Sequence, residues 1–363
     1  MPVSRRVTRF CLLSVLIEWG VVVIIIVGLL FLRGAGKSAS APAIAFTGSP
    51  VARSTVMQAT ETPRPASPVS LTASWTPVPT VLPPTWTASP PLPVTPQGPP
   101  GRIVFTCTIE KYNQLCLMNA DGSGWKRLTD RSANDYYPSF SSDGTRIVFA
   151  SNQTGMFEIF QRYLALSQEQ QLTDGVGSLS APDISPDGLS VIFAAKFAGG
   201  DSSIWTMNID GSGSHPLTDS QWSEVDPSWS PDGNQIAFAA ARGGYVELFT
   251  MNVAGSDIRQ VTNGVQGIGG RSSWSPDGRW LAFYAGPRGD RDIYLVELAS
   301  GKALRLTYGG NNTAPCFSPD GLWLAFSSSR DGDHEIYVMR LDGSQVTQLT
   351  DNDYDDWQPS WGP

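Results

Sequence analysis

The 363 residues are 41% hydrophobic, 16% charged and 10% aromatic, with a formal net charge of −8. At about 150 residues per domain, that length allows two domains or one large β domain with appendages. Residues 1–100 carry 7 basic and 2 acidic residues, a balance of +5, and residues 101–363 carry 18 and 31, a balance of −13. So acidic a body excludes nucleic-acid binding, which depends on Lys and Arg neutralising phosphates. Two histidines and four cysteines exclude a His-rich or all-cysteine zinc site.

A short tail, residues 1–9, precedes the run FCLLSVLIEWGVVVIIIVGLLFL at residues 10–32. About 20 apolar residues suffice to cross a bilayer as a helix, so this run is expected to span as a signal-anchor. Glu18 is its one charge. Arg5, Arg6 and Arg9 before the span against Arg33 and Lys37 after it favour a cytoplasmic N-terminus. The rival reading is a cleaved signal peptide with Ala39-Ser40-Ala41 at the cleavage site. Its apolar core exceeds the usual 7–15 residues or so, which favours the uncleaved form. Either way the remainder is expected outside the cytoplasm, in the periplasm or at the cell surface.

Residues 33–100 read as a disordered linker. From residue 38 to 100, Pro, Thr and Ser number 15, 10 and 8 of 63 residues. Such a composition cannot build a core, and it favours an extended, polyproline-like stalk.

From Gly101 the sequence repeats. Ser-x-Asp-Gly recurs at Ser141–Gly144, Ser185–Gly188, Ser230–Gly233, Ser275–Gly278 and Ser318–Gly321, in steps of 44, 45, 45 and 43 residues. Leu-Thr or Val-Thr recurs from Leu128, Leu172, Leu217, Val261, Leu306 and Leu349. A period near 44 with β-type composition predicts propeller blades of four short strands. Segments such as Pro227–Ser230, Gln235–Phe238 and Ile336–Met339 supply the first three strands, and Leu-Thr closes each unit. The Asp-Gly pairs supply the side-chain oxygen and the positive-φ residue of tight hairpins, so these aspartates read as structural. Gly101–Phe105 matches a second strand without its first, and Gln358–Pro363 matches a first strand without its second. Joined, they complete a sixth blade and tie the ring shut.

The pattern Pro-Ser-Trp-Ser-Pro-Asp-Gly, then Ile-Ala-Phe, Ile-Tyr-Val-Met, Asp-Gly-Ser and Gln-Leu-Thr resembles the repeat of TolB-type propellers across residues 101–363. The resemblance implies an all-β, six-bladed, exported propeller. Two features depart from TolB itself: residues 38–100 cannot form its α/β domain, and the chain carries a spanning segment. Similar repeats occur in propellers of prolyl oligopeptidase-type peptidases and oligogalacturonate lyases.

Chemistry is thinly represented. No Gly-x-Ser-x-Gly elbow occurs, which a serine peptidase of that type requires. The lyase resemblance implies a His-dependent metal, but His215 and His334 fall in different units and read as surface residues. The chain is expected to be non-catalytic and without a cofactor. Asp351, Asp353 and Asp355 alternate as calcium ligands do, but Asp356 stands where an EF-hand needs Gly, so the segment reads as an acidic solvated loop. Aligned with Ser328 and Tyr337, Cys107 and Cys116 flank one hairpin, where a disulfide is feasible in an oxidising compartment. Cys316 reads as a buried thiol, and Cys11 lies in the span.

The connections from each fourth strand to the next first strand vary strongly: 131–137, 220–226, 264–271, 309–314 and 352–357. Variable loops on one face of a rigid scaffold are where recognition resides. Tyr136, Tyr137, Trp222 and Trp357 are aromatic anchors there. Asp135, Glu224, Asp226, Asp355 and Asp356 add negative charge, and Arg271 can pair an anionic group. The expected partner is a protein or peptide at the cell envelope, with a glycan as the alternative.

Overall fold

In a computed structural model the described residues are 98–363, apart from Val176 and Ser220. The tail, the expected span at 10–32 and almost all of the linker lie outside them. Among the described residues no helix is long and apolar enough to cross a membrane.

The chain forms strands β1 (Arg102–Ile109), β2 (Tyr112–Asn119) and β3 (Lys126–Arg127), then five antiparallel four-stranded sheets. These are β4 (Asp135–Phe140), β5 (Arg146–Ser151), β6 (Glu158–Tyr163) and β7 (Gln168–Gln171), followed by β8 (Ser178–Ile184), β9 (Ser190–Lys196), β10 (Ser202–Asn208) and β11 (His215–Pro216). Next come β12 (Val225–Trp229), β13 (Gln235–Arg242), β14 (Tyr245–Asn252) and β15 (Arg259–Gln260). The fifth blade holds β16 (Ser273–Trp274), β17 (Trp280–Ala285), β18 (Asp292–Glu297) and β19 (Ala303–Arg305). The sixth holds β20 (Asn312–Phe317), β21 (Trp323–Ser328), β22 (Glu335–Arg340) and β23 (Thr347–Gln348). Last, β24 (Asp356–Gly362) pairs with β1, giving the order β24-β1-β2-β3, with Ile103 opposite Trp361. Six blades and the expected closure by both chain ends are therefore observed.

Each repeated residue has a visible task. In the first hairpin Ser141 Oγ donates to Asp143 Oδ1 at 2.5 Å and Thr145 N donates to the same oxygen at 3.0 Å. The pattern returns at Ser185, Ser230, Ser275 and Ser318. These hydrogen bonds hold the Asp143 carboxyl down at about 2, as a carboxylate accepting several donors should be. The Leu-Thr threonine does something the sequence did not suggest. In all six units its Oγ1 accepts the third strand's backbone N–H at 2.9 Å, from Leu115, Ile159, Ile204, Leu248, Ile293 and Ile336. It thereby satisfies an N–H at the point where the short outer strand ends.

Apolar packing follows the same repeat. Phe105, Phe149, Phe193, Phe238, Phe283 and Phe326, one per second strand, are all fully buried. Four of them stack on the cross-strand aromatic of the third strand, at 5.5–5.9 Å between centroids. In the blade built from both ends, Phe105 instead faces Cys116, which is bonded to Cys107 with a Cα–Cα distance of 6.0 Å. A covalent link thus stands in the first blade where an aromatic pair stands in four others. Six apolar clusters fill the six junctions between neighbouring blades, including the junction of the last blade with the first.

Candidate functional site

The innermost strands share a bulge. Tyr137, Ala181, Asp226, Ala314 and Gln358 adopt left-handed φ values of 55, 48, 51, 49 and 54°. A proline follows each one, and the register to the second strand slips at the same place. Left-handed backbone at non-glycine residues costs of order 1–3 kcal/mol and persists only where the surroundings hold it. Of these residues, Tyr137, Ala181 and Asp226 line the space at the axis. In the fifth blade Arg271 occupies the equivalent place, before Ser272.

The axis encloses a cavity of about 370 Å³ lined by innermost-strand residues, Tyr137, Asp183, Asp226 and Arg271 among them. Arg271 Nη2 donates to the carbonyl of Pro138 at 3.0 Å, from the connection before β16 across to β4. Its guanidinium lies 5.9 Å from the centre of the Tyr137 ring. Asp226 is 3% exposed, and burial, only partly offset by the Arg271 charge, pushes its carboxyl up to about 6. Asp183 is held by Ser139 Oγ at 2.6 Å and Trp229 N at 2.8 Å. Burial nevertheless keeps its pKa above the usual carboxylate value.

Above the cavity, the variable connections carry an aromatic group. The Tyr136 ring sits 5.6 Å from Phe157, 6.1 Å from Trp357 and 6.2 Å from Tyr137. Asn113 Nδ2 donates to the Tyr136 hydroxyl at 2.6 Å. His334 lies 6.3 Å from Trp357. Its backbone N–H donates to Asp355 Oδ1 at 2.9 Å, and its Nδ1 is 3.3 Å from the same oxygen. The contact with His334 holds Asp355 below the ordinary carboxylate value. The indole N–H of the half-buried Trp357 is itself buried and has no hydrogen-bond partner among the described residues.

The sequence-derived candidates therefore divide. Tyr136, Tyr137, Trp357 and Asp355 come together around the axis, and Arg271 reaches into the same region from the opposite side. Trp222 stands apart, 41% exposed, with the Arg242 guanidinium 5.7 Å from its ring. Asp135, Glu224, Asp226 and Asp356 are buried, so they cannot serve as surface charges for a partner. Three of them cap innermost strands: Arg131 pairs with Asp135 at 3.2 Å, Thr218 donates to Glu224 at 3.2 Å, and Asn352 donates to Asp356 at 2.8 Å. Asp351 and Asp353 are exposed while Asp355 is engaged by His334. Among the described residues no three His, Cys, Asp or Glu side chains group as metal ligands.

His334 corrects another expectation. It reads as a free surface residue in the sequence but is partly buried between Asp355 and Asn311, whose Nδ2 lies 3.3 Å from Nε2. Gln358 was not singled out, yet it joins two blades: Thr106 Oγ1 and Tyr137 N both donate to its Oε1, at 3.2 and 3.0 Å. Its place immediately before the repeated proline was the available signal.

The fold and this axial face define a six-bladed propeller with a central cavity under an aromatic rim. The model of the TolB beta propeller domain matches residues 92–225, 158–267, 222–313 and 272–363. The chain belongs to the TolB β-propeller family. It is 32% identical over 161 residues to the TolB homolog of Chlorobium luteolum, covering 44% of this chain and 37% of that protein. It is also 31% identical over 86 residues to dipeptidyl-peptidase 5 of Porphyromonas gingivalis, 24% of this chain and 13% of that one. Only a minor part of either relative's length is thus matched. Among solved structures, TolB from Acinetobacter baumannii is similar with a TM-score of 0.65 at 22% identity, over 72% of this chain and 67% of that one. At that identity the likeness concerns the fold.

Proposed function

We propose that this chain is a non-catalytic binding propeller that recognises a protein or peptide through the axial face bearing Tyr136, Tyr137 and Trp357. Residues 10–32 anchor it in a cell membrane and residues 33–100 hold it away from the surface, with the propeller on the outer side. The observation that carries the reading is the aromatic group of Tyr136, Phe157 and Trp357 on the variable face. Aromatic side chains with large apolar area dominate protein interfaces. Membership of the TolB propeller family supports the same reading.

The test is a cross-linking pull-down on intact cells with the anchored wild type beside a Tyr136→Ala/Trp357→Ala variant. A discrete protein captured by the wild type and lost by the variant supports the reading. The exposed Trp222 ring favours a second reading, a sugar-stacking platform. Retention on polysaccharide columns that disappears in Trp222→Ala, with an empty pull-down, would replace the first reading with the second. An exported reporter fused after residue 37 tests the anchor and its orientation.

A further inference from the structure

One wall of the axial cavity is left chemically incomplete. Asp226 Oδ2, Arg271 Nη1, Ser228 Oγ and Ser272 Oγ all lack a hydrogen-bond partner among the described residues. All four belong to residues lining the same cavity, and all four come from the innermost segments of two neighbouring blades. The corresponding groups elsewhere around the ring are engaged. Ser139 donates to Asp183, Ser273 Oγ accepts from Phe317 N at 3.2 Å, and Ser360 Oγ accepts from Phe140 N at 3.3 Å. Buried polar groups in folded proteins are nearly always paired, so a local concentration of exceptions signals a missing partner.

The chemistry of the wall specifies that partner. Asp226 offers a carboxylate without a donor, at 3% exposure. Arg271 is fixed by one arm, Nη2 on Pro138 O, which leaves Nη1 to meet an acceptor. A buried carboxylate asks for a cationic donor, and a buried guanidinium asks for an anion. The two hydroxyls can donate or accept. A purely cationic ligand would face Arg271, and a purely anionic one would face Asp226 and Asp183. Only a molecule carrying both charges a short distance apart satisfies the wall.

We infer that the axial cavity is a binding site for a small zwitterion of the α-amino-acid or dipeptide class, its ammonium on Asp226 and its carboxylate on Arg271. A cavity of about 370 Å³ falls within the range of small-molecule sites, roughly 300–1,000 Å³. The site goes beyond the protein-binding reading, because it lies within the ring and shares only Tyr137 with the aromatic rim.

The purified full chain is titrated by calorimetry with glycine, alanine, glutamate, lysine, phenylalanine and alanyl-alanine. Ethylamine and acetate serve as single-ended controls. At least one zwitterion is expected to bind about tenfold or more tightly than either control, as two charge-assisted contacts should give. Asp226→Asn and Arg271→Gln should each weaken that binding by about tenfold or more, while Leu304→Ala, exposed on the outer strand β19, leaves it unchanged. Thermal melts establish that the variants are folded; if either is not, the wild-type comparison of zwitterions with controls decides alone. Ethylamine binding as tightly as every zwitterion, or zwitterion binding indifferent to both substitutions in folded variants, overturns the inference. So does a wild type that binds none of the panel, its wall satisfied by water. A failed pull-down leaves this result untouched, and a failed titration leaves the rim reading untouched.

Discussion

Arg271 crosses the centre of the propeller to reach Pro138. The donor belongs to the strand connection of the fifth blade and the acceptor to the second, three blades away, yet Nη2 and the carbonyl oxygen are 3.0 Å apart. Together with the contact of the same guanidinium on the Tyr137 ring, this bond acts as a strut between opposite walls of the ring. Hydrogen bonds from charged donors contribute about 1.5–3 kcal/mol, and Arg271 is partly buried. Arg271→Met keeps the stem and removes the donors. It is expected to lower stability by about 1–2 kcal/mol, read from the denaturant midpoint at unchanged slope. An unchanged midpoint would show that the strut bears no load.

Asp356 makes stability depend on pH in an unusual direction. Burial, reinforced by Glu335 and opposed by Asn352, pushes its carboxyl up to about 8. The folded chain then holds a proton that the unfolded chain releases near pH 4, so this residue's contribution is complete below about pH 4 and declines as pH rises toward 8. The slope is at most about 1.4 kcal/mol per pH unit for one such group. Because Asp356 begins the closure strand β24, the loss falls on the seam of the ring. Asp356→Asn should flatten the difference between melts at pH 5 and pH 8. An equal pH dependence in the two proteins would mean that Asp356 is ionised throughout.

The disulfide closes the same blade. Its loop of about ten residues implies roughly 2–3 kcal/mol on the chain-entropy account. Cys107→Ser/Cys116→Ser should therefore lose about that much, and reductant should lower the melting point of the wild type but not of the variant. Cys316 offers a built-in control: it is a buried free thiol that burial pushes up to about 12. It should stay unreactive toward alkylating reagents until the chain unfolds.

How much of this was legible beforehand depends on the range of the interaction. Blade number, strand order and end-to-end closure could be read because the Asp-Gly turns are local and repeat with a constant period. The burial of Asp135, Glu224 and Asp356 could not be read so. In an acidic stretch such as 352–357 each carboxylate looks solvated. What buries Asp356 is the Glu335–Thr350–Asn352 network, which joins residues 15–17 apart. The pairing of Arg271 with Pro138 spans 133 residues and depends on where one side chain lies inside the closed ring, which the repeat period does not encode. Tyr136 and Trp357 were recognisable as anchors by type and loop, but their contact is also a product of closure. The proline after each bulge was visible, and it marks where the first strand slips register.

Gly255 tests a packing role hidden behind a turn residue. In the sequence the Asp-Gly-Ser glycines serve only the positive φ of a hairpin, and Gly255 stands in the corresponding turn with φ +76°. The structure adds a second demand, because a Cβ there would lie 2.1 Å from the carbonyl oxygen of Leu217 in the preceding blade. Gly211 meets Leu172 O in the same way, at 2.4 Å. These turns are thus seated against the neighbouring blade's last strand, and the contact is backbone to backbone, which cannot yield by a rotamer change. Gly255→Ala combines left-handed strain with that clash and is expected to cost about 2–3 kcal/mol. Gly243→Ala shares a positive φ of 69° but has open space around it, so it should cost about 1 kcal/mol. Equal losses in the two variants, measured by chemical denaturation, would reduce the role of Gly255 to its backbone angle.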